Sequence, residues 1–155
     1  MLFRSTERWK TEISDFGDRV TISIKPTDGS NADATLNISY PEVDRYDTPA
    51  RLKFRAEVEA EKFSEQSVEG RAFAKPIQLT TGYGFLCHFT DPKLVGKAEK
   101  KGDFKTISTG LIHVSASILI EVVLEADGFA SKPYNELLGA VEGMEYDPRP
   151  AARRQ

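Results

Sequence analysis

Residues 82–124 constrain the fold more than any other part of this chain. They read GYGFLCHFTDPKLVGKAEKKGDFKTISTGLIHVSASILIEVVL, strand-like segments broken by one short charged loop. Tyr83, Phe85, Cys87 and Phe89 alternate with Leu86 and His88, the period of two that sends neighbouring side chains to opposite faces of a sheet. Residues 104–113 and 117–125 follow as the arms of a hairpin joined near Val114-Ser115-Ala116, and Asp127-Gly128 ends the second arm. A segment committed to sheet in this way leaves few polar side chains for chemistry. It specifies an architecture before an activity.

The rest of the chain extends the sheet. Trp9 to Ile13 reads as a short strand, followed by the turn residues Asp15-Phe16-Gly17-Asp18. Val20, Ile22 and Ile24 alternate with polar residues, as do Ala34, Leu36, Ile38 and Tyr40. The connection Pro26-Thr27-Asp28-Gly29-Ser30-Asn31 is too short for a parallel crossover, so these two strands should pair antiparallel. A further strand is expected over residues 68–79, with Pro76 marking an edge or a bulge.

Two helices are expected. Thr48 as N-cap with Pro49 behind it is a helix start, and Leu52, Ala56, Ala60 and Phe63 share a helical face. Leu52, Phe54, Ala56, Val58 and Ala60 also alternate, so a strand is the alternative, but the Ala-, Glu-, Arg- and Lys-rich composition favours the helix. Near the end, Tyr134, Leu137, Leu138, Val141 and Met144 form an apolar stripe behind a Ser131 N-cap. Strand runs with segregated helices give an α+β sandwich with an antiparallel sheet of about six or seven strands. Residues 1–146 read as a single domain, and 147–155, which hold prolines and arginines, read as a flexible tail.

Composition narrows the functional classes. The 155 residues include 39% apolar and 29% charged side chains, ordinary for a folded soluble domain. With 21 basic against 24 acidic residues and no basic stripe, nucleic acid is not an expected partner. Cys87 is the single cysteine, so no internal disulfide or cysteine-rich zinc site can form. No apolar run approaches the ~20 residues of a spanning helix. MLFRSTERWKTEIS carries no signal-peptide core. A periplasmic or secreted location is the expectation if Met1 replaces a removed leader, and a cytoplasmic one otherwise.

Candidate chemistry is sparse. His88 and His113 would need neighbouring strands and a common face to share a metal with Asp91, and no short His spacing presets that geometry. Cys87 and His88 are adjacent on a strand and so point apart. Glu57, Glu59 and Glu61 beside Lys53, Arg55 and Lys62 read as a solvated helix face. The loop over residues 91–103 lacks the Gly-Lys-Ser/Thr ending of a P-loop. Its Lys93, Lys97, Lys100 and Lys101 are the first candidates for a contact surface, with Tyr83 and His88 of the preceding strand completing the binding set. Trp9, Tyr40, Tyr46 and Tyr134 are further candidate anchors. No cofactor motif is present, and neither a cofactor nor an enzymatic activity is expected.

GYGFLCHFTD, a lysine-bearing loop, KGDFKTISTGLIHV, SILIEVVL and a final amphipathic helix together resemble the photosystem II extrinsic protein P-like superfamily. That superfamily also takes in the Ran-GTPase release factor. The likeness is greatest to its small bacterial members of unknown function. Thr90-Asp91 and the run Phe104-Lys105-Thr106-Ile107-Ser108-Thr109-Gly110 carry the resemblance, which covers residues 68–144 and fades before Thr48. It implies an α/β/α sandwich and a non-enzymatic binding or assembly module, protein-binding and in the bacterial envelope. The chain departs from the pattern at Val114-Ser115-Ala116, where a glycine is expected, and in lacking an export signal. The alternative function is a carrier of a small apolar ligand or lipid, held between the sheet and the 48–63 helix in a cavity lined by Leu52, Phe54, Ala56 and Val58.

Overall fold

Alternation decides which layer each residue of the sheet serves. The structure, a computed structural model, describes residues 8–146, so the expected tail lies outside the described residues. The strands are β1 (Trp9–Asp15), β2 (Arg19–Pro26), β3 (Ala32–Ser39), β4 (Lys75–Ile77), β5 (Tyr83–Thr90), β6 (Thr106–Ser115) and β7 (Ile118–Ala126). Helix α1 (Pro49–Ser64) lies between β3 and β4 in the chain, and α2 (Lys132–Glu142) follows β7. All seven strands join one antiparallel sheet in the order β1-β2-β3-β7-β6-β5-β4. The chain runs out through β1 to β3, crosses by α1 to the far edge, and returns until β7 closes beside β3, with Ile38 opposite Ile120.

On one face Ile22, Ile24, Leu36, Leu86, Ile120 and Leu124 pack with Tyr134, Leu137 and Val141 of α2. On the other, Phe85, Cys87, Phe89 and Leu111 pack with Leu52, Ala56 and Ala60 of α1. Each fully buried Leu or Ile contributes roughly 1.5–3 kcal/mol of transfer free energy. The result is an α/β/α sandwich, and the expected fold class holds.

Helix formation over residues 49–64 follows from capping and from small residues on the buried stripe. The Thr48 hydroxyl accepts the Arg51 N–H at 3.3 Å, and Pro49 begins the first turn. Ala56 and Ala60 let the helix approach the sheet closely, while the Lys53–Glu57 and Arg55–Glu59 pairs lie along it at helical spacing. Phe54 and Val58 face solvent. At α2, the Ser131 hydroxyl accepts the Tyr134 N–H at 3.3 Å, as the cap reading requires.

Two sequence expectations are corrected. Residues 68–79 do not form one strand: the ladder with β5 is confined to Lys75–Ile77, and a single Val68 N–H donates to the Thr90 carbonyl at 3.0 Å. Gly70 adopts φ +68°, which breaks the extended run, and the Ala74 N–H donates to the Glu57 carboxylate of α1 instead of to the sheet. Pro76 does sit on an edge strand. The β6–β7 turn lies at Ala116 and Ser117, later than expected, because a register irregularity between His113 and Ser115 lets Ser115 pair with Ile118. No helix among the described residues is long and apolar enough to cross a membrane.

Candidate functional site

β5 presents His88 on the α2 side of the sheet, opposite Ser108 of β6. Ser108 is fully buried, and its hydroxyl lies 2.7 Å from His88 Nδ1 and 2.8 Å from the Tyr134 hydroxyl. Tyr134 OH lies 3.4 Å from the same Nδ1. Counting protons assigns the tautomer. If Tyr134 donates to Ser108 and Ser108 donates to Nδ1, every hydroxyl proton has an acceptor. If Nδ1 carried the proton, one of the two hydroxyl protons would have no acceptor within this trio. Burial, reinforced by the Lys75 charge and opposed by Glu69, holds the imidazole pKa below its usual value. His88 is therefore neutral at pH 7, with its remaining proton on Nε2.

The ring is also held by its neighbours. Phe129 meets His88 edge-on at a 5.3 Å centroid distance and meets Tyr134 edge-on at 5.4 Å. Over this cluster opens a pocket of about 680 Å³ walled by Phe73, Phe129, Tyr134 and Leu138. Glu69, Arg71, Lys75 and Asn135 complete its lining. Glu69 accepts the Thr90 N–H at 2.7 Å and the Thr90 hydroxyl at 2.8 Å, one bond to each carboxylate oxygen. Arg71 lies 5.7 Å over the Phe73 ring. The mouth thus carries two cations and one carboxylate already engaged, above apolar walls and a fixed imidazole donor.

Neither Ser108 nor Cys87 is placed to attack a ligand in this pocket. The Ser108 hydroxyl is sealed between His88 and Tyr134, with no space for a substrate beside it. Cys87 points to the α1 side, where burial pushes its thiol up to about 11, so the thiolate is scarce at neutral pH. His113 also sits on that side, stacked on Tyr83 at 4.7 Å and bonded to Asp44 at 3.0 Å. The two imidazoles occupy adjacent strands but opposite faces.

The other candidates scatter. The Tyr83 hydroxyl donates to the Tyr46 carbonyl at 2.5 Å and ties β5 to the segment entering α1. Lys93 lines a groove of about 540 Å³ with Lys62, Phe63 and Phe89 at the end of α1. Lys97, Lys100 and Lys101 are exposed on their loop. Asn31 holds that loop: its amide donates to the Lys100 and Asp103 carbonyls at 3.2 and 3.0 Å and accepts the Gly102 N–H at 2.9 Å. Leu52 and Ala56 are packed while Phe54 and Val58 are exposed, so these four do not line one cavity. Among the described residues no group of three or more potential ligands converges to hold a metal. The chain matches no known protein-family model, no curated protein and no solved structure.

Ser108, Phe73, Phe129 and Leu138 were not singled out by sequence reasoning as binding residues. The available signal was Ser108, a polar residue at an inward position of a central strand. A second arrangement also escaped notice: Asp33 and Glu125 stand directly opposite each other on β3 and β7, half-buried. Burial is the main cause raising both carboxyl pKa values, and Asp33 adds to the shift at Glu125. A raised folded-state pKa means that the fold holds the proton more tightly than the unfolded chain does. The cost is therefore fully present above the raised value and disappears as pH falls toward the unfolded carboxyl value of about 4. Glu125→Gln should add about 0.2–1 kcal/mol at pH 7, raising Tm by about 1–4 °C, with little gain at pH 4. Thermal melts at the two pH values check this; an equal gain at both would rule out charge repulsion as the cause.

Proposed function

We propose that this protein is a non-enzymatic binding module whose recognition site is the pocket over His88. Its ligand class is a small organic anion with an apolar or aromatic body. The carrying observation is a roomy pocket floored by a half-buried, neutral imidazole whose orientation is set by Ser108 and Tyr134. The Nε2–H group and Lys75 would receive the acid group, and Phe73, Phe129 and Leu138 would enclose the body. Because the imidazole donor is positioned before binding, little ordering entropy is lost at that contact. The ligand-carrier alternative thus moves from the α1 side of the sheet to the α2 side. The same proposal takes the protein for a bacterial envelope component, on the resemblance of residues 68–144 alone.

The test is NMR titration with phenylacetate, phenylpropionate and octanoate, set against phenethylamine and octylamine. The carboxylates should shift the resonances of His88, Phe129 and Leu138, and the amines should not. Lys75→Glu should weaken carboxylate binding by about tenfold or more, the loss of one charged contact in a half-enclosed site. Shifts that map elsewhere, or equal binding of amines, would overturn the assignment.

A second reading rests on the pinned loop. Asn31 fixes the backbone around Lys100–Asp103, so the exposed lysines there form a preformed surface for an acidic protein partner. Pull-down with Lys97, Lys100 and Lys101 all changed to Glu tests it. Unchanged recovery of the partner removes the loop from consideration.

A further inference from the structure

The two ends of the sheet are unequal. β4 is three residues long and contains Pro76, so it offers little to another strand. β1 is seven residues long and stands at the opposite edge. The Arg8 carbonyl accepts the Thr27 N–H at 2.7 Å, and the Phe16 N–H donates to the Arg19 carbonyl at 2.9 Å. Even-numbered residues of β1 therefore direct their backbone groups toward β2. By antiparallel alternation, Thr11 and Ile13 direct theirs outward. Ile13, on the same face as buried Trp9, is 68% exposed. A strand of this length that no other strand covers among the described residues, with an exposed isoleucine, is a pairing template.

From this edge we propose that the protein forms a two-fold homodimer by antiparallel β1–β1 pairing centred on Thr11. The sequence of the strand selects that register. Centring on Thr11 sets Lys10 of each copy opposite Glu12 of the other and brings each exposed Ile13 beside the other copy's Trp9. Centring on Lys10 or Glu12 would oppose like charges, which destabilises a strand pair. In the Thr11 register the Lys10–Glu12 positions are the non-hydrogen-bonded ones, where facing side chains lie closest. A two-fold axis normal to the sheet uses this edge in both copies and closes the assembly. The pairing lies at the edge away from the His88 pocket and does not depend on its ligand.

Sedimentation equilibrium at protein concentrations up to about 0.5 mM, where weak interfaces are populated, reads the result directly. The wild-type mass should rise from 17.3 kDa toward twice that value. Lys10→Glu and Glu12→Lys should each remain monomeric, because each opposes like charges across the axis. Both side chains are exposed, and circular dichroism verifies that each variant is folded. Mixed in equal amounts, the two variants should restore the dimer, since each then supplies the charges the other needs. A wild-type protein monomeric throughout, or single variants that dimerise as wild type does, would overturn the interface. A mixture that stays monomeric would overturn the register.

Discussion

Gly110→Ala should cost about 3 kcal/mol or more, lowering Tm by about 6–12 °C. Gly110 lies in β6, between β5 and β7, paired with Leu86 on one side and Val122 on the other. A Cβ placed there would come within 1.8 Å of the Phe85 carbonyl oxygen and 2.9 Å of the Leu86 Cα. Those atoms are backbone, so no rotamer change relieves the overlap. β5 would have to move, and β5 supplies Phe85 and Cys87 to one layer and Leu86 to the other. The damage would therefore reach both helices. Gly128→Ala is the matched control, because nothing lies within 4 Å of its Cβ position. Thermal melting followed by circular dichroism decides it; a fall of less than about 2 °C would mean that the strands part at little cost.

Ser108→Ala should cost about 2 kcal/mol and lower Tm by about 4–8 °C. One buried hydroxyl serves two partners, His88 Nδ1 at 2.7 Å and Tyr134 OH at 2.8 Å. Removing it leaves only the 3.4 Å approach between those two groups. That distance is long for a hydroxyl bond to a ring nitrogen, and both side chains are anchored by Phe129. The imidazole would lose the acceptor role that fixes its tautomer. Nitrogen-15 shifts of His88 should move from a single Nε2–H form toward a mixture, and carboxylate probes should bind more weakly. Stability within 0.5 kcal/mol of wild type, with ring shifts unchanged, would show that Ser108 does not orient His88.

The layered fold was legible because most of its information is periodic. Ile22, Ile24, Leu36 and Ile38 alternate, Leu137 and Val141 keep helical spacing, and Thr48-Pro49 and Ser131 announce caps. Residues 68–79 misled because strand-like composition there meets a left-handed glycine and a hydrogen bond to a helix, neither visible as a pattern. The pocket was harder still. His88 and Tyr134 are forty-six residues apart and meet because α2 packs on β7 and β3 with its first turn reaching toward β6 and β5, where Ser108 joins them. Only the strand register brings Ser108 opposite His88 and His113 opposite Tyr83. Local sequence carries the elements, while side-chain convergence depends on how the elements stack.

Neighbouring residues of β5 report on different layers. Cys87 is sealed beneath α1, and His88, one residue on, belongs to the pocket beside α2. A thiol reagent would therefore time the lifting of the first helix and stay indifferent to whatever fills the chamber on the far side. The sheet acts as a partition, and this strand carries a separate gauge for each compartment.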